Sequence, residues 1–470
     1  MPLLNSKPLE AKAALRTPPV GIERRHLLAC GATLAGALGL MARHAPATAQ
    51  SPADRKPAAD MAVTPTGKDQ TAALQNAIDQ ASERGARLLL APGDYFVSSL
   101  DLRAKTSIAA APKARLLPAS GPFGLIAREA HGLKLTGLTI DGRGRELAYA
   151  RGAEGLISIL GGKRIALENL ALSGSSHHGI ALKGVSGLVG HCSIESASSA
   201  GIFSIDAQGL EIASNLLEDC GDNGILVWRS NPGPDASIVH HNRIRRVTAK
   251  SGGTGEFGNG LNLFRAHSVI VVANRIEDCA YSAIRANAAS NALLHANSIS
   301  GAGEVALYIE FGYEGAVVSG NVIEDAADGI VVTNFDHGGR LAAVQGNLIR
   351  NVTRRAPTEG AHGLGIAVEA DAAVTGNVIE NAPTAGIFIG FGKHQRDVAA
   401  TGNVIRRAKH GIAVQSVAGA GKALIASNLI AGAEGGAIRA FDHWQPVGPD
   451  LALAGARIPP QLVISQNLLS

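Results

Sequence analysis

The sequence predicts an all-β fold, a parallel β-helix of about 12–14 coils with an N-terminal capping helix. The first observation is a short phrase, Asn followed by any residue and then Ile or Leu, which returns at intervals of 23 to 39 residues. A repeat of this period indicates a solenoid. The phrase begins at Asn169, Asn215, Asn242, Asn274, Asn297, Asn321, Asn347, Asn377, Asn403, Asn428 and Asn467, and Cys192 takes the Asn place in one coil.

A second phrase, Gly-Ile or its equivalent, follows each Asn by about ten residues, as at Gly224-Ile225 and Gly329-Ile330. Both phrases show the period-two pattern of strands, and the repeat region lacks the apolar spacing of a helix. Two or three short strands in each repeat make one coil of a parallel β-helix, and neighbouring coils then lie about 4.8 Å apart.

The recurring Asn has a structural interpretation. Repeated once per coil, its side chain stacks at a turn, where each amide bonds to the amides of the neighbouring coils. Such a ladder satisfies buried polar groups without a ligand. We therefore assign the Asn residues to architecture rather than to chemistry.

Residues 1–49 are predicted to be a twin-arginine-type signal peptide. Arg24-Arg25 precede an apolar run, and Ala47-Thr48-Ala49 provides a small-x-small cleavage site. The apolar run is too short to span a membrane comfortably, so we expect export to the periplasm or beyond and no stable membrane insertion. A linker over 50–66 and a single β-helix domain over 67–470 follow. Asp69 is predicted to cap a helix that covers the open end of the solenoid.

Export changes the charge argument. Six of the 43 basic and two of the 39 acidic side chains lie in residues 1–49, which leaves 37 of each sign in the mature chain. A formally neutral chain gives no support to nucleic-acid binding through a broad basic surface.

Three cysteines follow the predicted signal peptide. Cys220 and Cys279 each come five residues after a ladder Asn and two coils apart, so we expect a separation of about 9–10 Å, beyond disulfide reach. Reduced thiols packed inside the coils are predicted. The sequence contains no Cys/His cluster at metal-ligand spacing, and we predict no metal site and no cofactor, with a calcium requirement left open.

Three segments carry a resemblance to a known group: Asp69-Gln-Thr-Ala-Ala-Leu-Gln-Asn-Ala-Ile-Asp79, Leu90-Ala-Pro-Gly-Asp-Tyr95 and Leu135-Thr-Gly-Leu-Thr-Ile-Asp-Gly142. They resemble the opening coils of the pectate lyase-like right-handed β-helix superfamily. With the repeats the resemblance covers about residues 66–470, and with the signal it extends to exported bacterial repeat proteins of unassigned activity. It implies a right-handed helix of coils and a link to polysaccharides, since most members are polysaccharide lyases, hydrolases or epimerases and some bind without catalysis.

The resemblance assigns no specific activity. Polygalacturonase-like members use an Asp-Asp motif, whereas this sequence has no adjacent Asp pair. His178-Gly179 is a partial match to their Gly-His-Gly motif, and it also serves as the Gly-Ile phrase of its coil. Pectate lyases hold calcium with several carboxylates beside an Arg base, and the central coils here offer few carboxylates.

Candidate site residues lie at outward positions of the Gly-Ile strands. If each Ile points inward, the next and the third residues point outward. We interpret Glu310 or Asp336 as a general acid or base and Arg285 as a clamp for a uronate carboxylate. The alternative is that Arg285 and Glu310, on adjacent coils, form a surface ion pair. The predicted substrate-binding residues are Asn262, Phe264, Asn287, Tyr308, Phe335 and Glu369.

Two further patterns accompany these residues. Aromatic residues followed by His recur after the strands, as at Phe335-Asp-His337, Phe391-Gly-Lys-His394 and Phe441-Asp-His443, and are predicted to pack over strand ends. Two insertions, Thr248–Asn259 and Thr353–Leu364, lie four coils apart, about 19 Å, and would wall a groove for about four sugar units.

The partner predicted from these patterns is a polysaccharide or oligosaccharide. One hypothesis is an enzyme, a lyase, hydrolase or epimerase acting on an acidic polysaccharide. The other is a non-catalytic carbohydrate-binding or scaffold protein of the cell envelope. The sequence leaves the oligomeric state open.

Overall fold

The computed structural model describes residues 59–353 and 362–470. The chain winds in coils, and successive coils add strands to three parallel sheets, here named A, B and C in the order in which a coil passes through them. The predicted signal peptide, residues 1–49, lies outside the described residues.

Sheet A contains sixteen strands joined by fifteen parallel pairings, so the described residues make about fifteen turns, close to the number predicted. Its strands are Met61–Val63, Arg87–Leu90, Ser107–Ala110, Lys134–Thr136, the later parts of Gly155–Glu168 and His178–Gly190, Leu210–Ala213, Ile238–His240, Ile270–Val272, Ala292–His295, Glu314–Ser319, Arg340–Gln345, Ala370–Thr375, Arg396–Thr401, Ala423–Ala426 and Leu462–Ser465.

Sheet B follows the Asn corner in each coil. Its strands are Gly93–Val97, Ala114–Pro118, Thr139–Asp141, Ala171–Ser173, Ser193–Glu195, Leu216–Glu218, Arg243–Val247, Arg275–Cys279, Ser298–Ala302, Val322–Glu324, Leu348–Arg350, the early parts of Val378–Ile389 and Val404–Gln415, Leu429–Ala431 and Leu468–Leu469.

Sheet C carries the Gly-Ile phrases. Its strands are Ser99–Leu102, Gly124–Arg128, the early parts of Gly155–Glu168 and His178–Gly190, Ala200–Ile205, Asn223–Pro234, Asn259–His267, Ile284–Asn287, Val305–Glu310, Asp328–Val332, Leu364–Val368, the later parts of Val378–Ile389 and Val404–Gln415, and Ile438–Asp442, with Gln445–Asp450 paired antiparallel to the last.

One helix, Thr71–Arg84, lies near the start of the described chain and buries Leu74, Ile78 and Ala81, as expected of a cap. The Asp69 carboxylate accepts the backbone N–H of Thr71 at 2.9 Å, although Gln70 is the N-cap residue itself. Met61–Val63 pairs with sheet A, so the solenoid begins inside the range 50–66 that was predicted as a linker. Within residues 59–353 and 362–470 there are also two short 3-10 helices, Tyr149–Arg151 and Phe335–His337.

The Asn ladder is present as predicted from Asn215 to Asn467. The side-chain amide of Asn321, for example, donates to Oδ1 of Asn347 at 2.9 Å and to the carbonyl of Leu294 at 3.0 Å. The prediction that Asn169 belongs to the ladder is wrong, because its side chain is exposed and its backbone φ is 54°. Sheet register pairs Ala171 with Ser193, so the ladder place in that coil belongs to Leu170, one residue later.

The Gly of the Gly-Ile phrase has a steric cause. A Cβ on Gly224 would lie 2.4 Å from the carbonyl oxygen of Gly260 in the next coil, and a Cβ on Gly329 would lie 2.3 Å from that of Gly365. Coils can therefore stack at this corner only where a side chain is missing or very small.

The interior is filled by the inward-facing aliphatic residues, and the three described cysteines join it as free, buried thiols, as predicted. In the part of the chain that the structure describes, no helix is both long and apolar enough to cross a membrane.

Candidate functional site

The predicted Arg285 and Glu310 face outward from sheet C and form a bidentate ion pair. Nε and Nη2 of Arg285 donate to the two Glu310 carboxylate oxygens at 2.6 and 2.8 Å, and Nδ2 of Asn287 donates to the same carboxylate at 2.8 Å. Arg285 is 6% and Glu310 2% exposed. The alternative interpretation of a pair is therefore correct, but the pair is buried rather than superficial.

A second carboxylate and a loop complete this cluster. Nη1 of Arg285 donates to Oε2 of Glu304 at 3.2 Å and to the hydroxyl of Thr254 at 3.0 Å, and Thr254 belongs to the insertion after sheet B. The hydroxyls of Thr254 and Ser282 donate to Glu304. Arg285 thus has four donor bonds inside the protein, and this geometry does not support its predicted role as a clamp for a substrate carboxylate.

Tyr308 connects the charged cluster with a cavity. The Arg285 guanidinium lies over its ring, 4.7 Å from the ring centroid, and Tyr308 also lines a cavity of about 450 Å³ beside sheet C. Cavities of this size are typical of small-ligand sites. We call this cavity the ring pocket. Its lining includes Tyr308, Asp328, Thr333, Asp336, His362, Glu369, Phe388, Phe391, His394, His443 and Trp444.

A hairpin forms one wall of the ring pocket. The strands Ile438–Asp442 and Gln445–Asp450 pair antiparallel, and the turn between them carries His443 and Trp444. Gln415 fixes this turn, because its side-chain amide accepts the N–H of His443 at 2.8 Å and donates to its carbonyl at 3.0 Å. The Trp444 ring then lies 4.3 Å from His362 and 5.0 Å from Phe388.

Two carboxyl groups near the C-terminal ends of the sheet C strands have pKa values displaced in opposite directions. Burial raises the pKa of Glu369, against hydrogen bonds from the Thr333 hydroxyl at 2.6 Å and the Phe335 N–H at 2.7 Å. The neighbouring His337 imidazole, 3.0 Å away, lowers the pKa of the exposed Asp336. A pair of carboxyls with separated pKa values is the arrangement that divides acid and base roles.

A third carboxyl lies at the opposite end of the strands. Burial raises the pKa of Asp328 to about 7, although its two oxygens accept the backbone N–H groups of Leu364 at 2.7 Å and His362 at 3.1 Å. The side chain is 1% exposed. Asp328 and Thr333 are five residues apart, about 17 Å along a strand, so Asp328 and Glu369 belong to separate ends of the pocket.

Asn262 and Phe264 lie in a second aromatic region, on earlier coils of the same sheet face. Oδ1 of Asn262 accepts the indole N–H of Trp228 at 3.1 Å, and the Phe264 ring lies 5.6 Å from Trp228. We call this region the ring row. Its members are Tyr149, His177, His178, Phe203, Trp228 and Phe264, with successive centroids 3.9 to 6.2 Å apart.

The structure divides the predicted residues among three places. Tyr308, Asp336 and Glu369 line the ring pocket, and Phe335 lies beside it under the Arg396 guanidinium. Arg285, Asn287 and Glu310 form the buried cluster behind Tyr308, and Asn262 and Phe264 belong to the ring row. Whether any of them meets a substrate stays a prediction.

Sequence reasoning did not assign Asp328, His362, Phe388, His394, His443 and Trp444 to a site. The sequence signal for His394 and His443 is the recurring ending in which a His follows a Phe by two or three residues, and this pattern alone predicts packing over strand ends. Within the described ranges, no group of three or more His, Cys, Asp or Glu residues could hold a metal ion.

The chain belongs to the right-handed β-helix family. The family model of a right handed β-helix region matches residues 123–255, 178–347 and 242–405, overlapping matches as expected of a repeat. None of the curated proteins matches the sequence.

Solved structures with the same fold include an alginate lyase in complex with a trisaccharide, at 12% identity and a TM-score of 0.50, covering 87% of this chain and 96% of the other. The surface adhesin PfbA of Streptococcus pneumoniae matches at 14% identity and a TM-score of 0.46, covering 87% and 100%. The A-module of a mannuronan C-5 epimerase of Azotobacter vinelandii matches at 14% and 0.37, covering 82% and 95%. At these identities the likeness is one of fold.

Proposed function

We propose that the protein binds a polysaccharide chain in the ring pocket and hydrolyses a glycosidic bond there. The observation that carries this proposal is the pair Glu369 and Asp336, whose pKa values are displaced in opposite directions inside a pocket lined with aromatic rings. Aromatic rings pack against the apolar faces of sugars, and polar groups at the rim bond to hydroxyls.

In the proposed reaction Glu369 is the general acid. Its carboxyl proton passes to the glycosidic oxygen as the bond to the anomeric carbon breaks, and Asp336 takes a proton from the water that attacks that carbon. The released proton of Asp336 returns to solvent, and Glu369 is reprotonated from solvent. Glu369 is suited to the acid role because burial favours its neutral form, and Asp336 to the base role because His337 favours its anion.

An uncharged sugar fits the pocket better than a uronate at neutral pH. No Lys or Arg side chain is among the described residues that line the cavity, and the Arg285 guanidinium is committed to Glu310 and Glu304. The pocket therefore lacks a free arginine to balance a substrate carboxylate among the residues described as lining it. Export, predicted from residues 1–49, would bring the pocket to polysaccharides outside the cytoplasm.

A non-catalytic saccharide-binding protein is the second candidate. The observation in its favour is that both Glu369 oxygens accept hydrogen bonds from Thr333 and Phe335, which gives this carboxylate a structural role in holding the turn. The two candidates share the ring pocket and differ in turnover.

The test uses β-1,4-linked hexasaccharides of glucose, xylose and mannuronate and the α-1,4-linked hexasaccharide of galacturonate, with new reducing ends and product masses as the readout. We expect cleavage of a neutral hexamer by the wild type and a loss of about 10²–10⁴-fold in Glu369→Gln. Activity should fall as the pH rises through the raised pKa of Glu369, because the acid form disappears.

The matched control is Glu324→Gln, which removes an exposed carboxylate paired with Arg350 on sheet B and should leave turnover unchanged. Binding without cleavage of any hexamer would leave the second candidate. Unsaturated products would show elimination in place of hydrolysis and would overturn the roles given to Glu369 and Asp336.

A further inference from the structure

The ring row is a second aromatic surface that the proposed chemistry does not use. It begins at Tyr149, whose side chain is 48% exposed, and continues through half-buried rings at Phe203, Trp228 and Phe264. From the coil of His178 to the coil of Phe264 there are three coil steps, about 14 Å. The rings cross sheet C diagonally, since Phe203 is aligned with Leu226 and Trp228 with Phe264.

Polar groups accompany the rings along this surface. The exposed Lys183 pairs with Ile205, which pairs in turn with Trp228 on the following coil. The Arg265 guanidinium lies 4.6 Å from the centroid of the Phe264 ring. The exposed Ser230 and the Asp206 carboxylate bond to each other beside Trp228. Rings with hydroxyl-bonding groups at their edges match the two surfaces of a sugar, which is apolar on its face and polar at its rim.

The ring row also leads towards the ring pocket. On successive coils Phe264 pairs with Asn287, and Asn287 pairs with Glu310. Further along the same face, the Thr333 hydroxyl donates a hydrogen bond to Glu369 in the pocket. From the Phe264 coil to the Glu369 coil there are four coil steps, about 19 Å. At the other end of the pocket the hairpin with Trp444 forms a wall, so a chain bound in the pocket would extend towards the ring row.

We propose that the ring row binds the distal part of a saccharide chain whose end lies in the ring pocket. This inference rests on the proposed function and adds two properties to it: the protein recognises chain ends, and it favours long chains over short ones. The occupant is a saccharide rather than a protein segment, because the row presents flat rings with polar edges and runs into the proposed saccharide site.

The two tryptophans of the chain make the proposal testable, because Trp228 belongs to the ring row and Trp444 to the ring pocket. Trp444→Phe leaves Trp228 as the single fluorescent reporter, and Trp228→Phe leaves Trp444. The probes are cellobiose and cellohexaose, with digalacturonate and hexagalacturonate as the acidic pair. We expect Trp444 to respond to a dimer and its hexamer, and Trp228 to respond to the hexamer alone.

The outcomes separate the inference from the proposed function. A response of Trp444 with a silent Trp228 overturns the inference and leaves the proposed function. A response of Trp228 with a silent Trp444 overturns both, as does silence of both tryptophans with all four sugars.

A second measurement removes ring faces while keeping apolar packing. In the double variant Phe203→Leu, Phe264→Leu we expect hexamer affinity to fall roughly tenfold, by analogy with the loss of one or two stacking rings, and dimer affinity to stay unchanged. The matched control is Phe311→Leu, an exposed ring packed on His337 that belongs to neither the row nor the pocket lining. An equal loss for dimer and hexamer would contradict the proposal.

Discussion

The ring row and the ring pocket lie on the same face of sheet C but are built from different parts of the coil. Phe203, Trp228 and Phe264 of the row are strand residues, so the pairing of the repeat fixes their positions. The pocket depends on departures from the repeat, namely the Trp444 hairpin, the turn after Thr333 and the segment that resumes at His362.

This difference has an electrostatic consequence. On the regular surface of the ring row, polar groups are solvated or hydrogen-bonded. The largest pKa shift among the described residues of the row is that of His178, whose imidazole stays neutral because burial lowers its pKa to about 3. The irregular walls of the pocket enclose space, and enclosure raises the pKa of Asp328 and Glu369. In our proposal the repetition supplies a surface for binding, while departures from it supply carboxyl groups with raised pKa values.

The largest effect on both regions should come from the buried cluster between them. Replacing Arg285 by Met leaves Glu304 and Glu310 buried without their cation, and we expect the free energy of unfolding to fall by about 3–5 kcal/mol. Denaturant titration measures this change. Because Tyr308 and the neighbouring coil rest on the cluster, both tryptophans should report altered surroundings.

The control for this prediction is Arg275→Met, one strand earlier in the chain. Arg275 is exposed and bonds to Glu277, so its loss should change stability by less than about 1 kcal/mol. Equal effects of the two variants would mean that the buried cluster does not brace the two regions.

A smaller effect, confined to the pocket side, is expected from Asp328. Its pKa is about 7 in the folded protein against 3.8 for the ordinary side chain, so the folded state holds a proton that the unfolded state has lost between these values. Stability should therefore fall as the pH rises from about 4 to 7, by at most about 4 kcal/mol. Asp328→Asn should reduce this slope to the part that comes from Glu369, whose pKa is also raised. A slope unchanged in the variant would assign the pH dependence to another group.

The register of the solenoid could be predicted because one residue type marks the same corner in the coils from Asn215 to Asn467. Once Asn242, Asn274 and Asn297 are aligned, the outward positions of Arg285 and Glu310 follow, and the structure has them on adjacent coils. Asn169 departs from this pattern, because the ladder place in its coil belongs to Leu170. Where the phrase is degenerate, the ladder place can shift by one residue, which exchanges an exposed side chain for a buried one.

The pocket could not be predicted because its contacts are not periodic. Trp444 meets His362 and Phe388 only because the chain turns back after Asp442 into an antiparallel strand, and no spacing in the sequence marks that turn. The burial of the Arg285 and Glu310 pair likewise depends on where the loop with Thr254 folds. Loop position is set by tertiary contacts, which a repeat does not encode.

The smallest predicted effect is confined to the ring row. Asn262→Leu keeps a side chain of similar size but removes the acceptor of the Trp228 indole N–H and the donor to the Gly255 carbonyl, and each lost hydrogen bond of this kind is worth about 0.5–1.5 kcal/mol. With Trp444→Phe as background, hexamer binding should weaken about two- to tenfold, because the indole is no longer held in one orientation. Dimer binding in the Trp228→Phe background should not change. If both weaken together, the row and the pocket are one site rather than two.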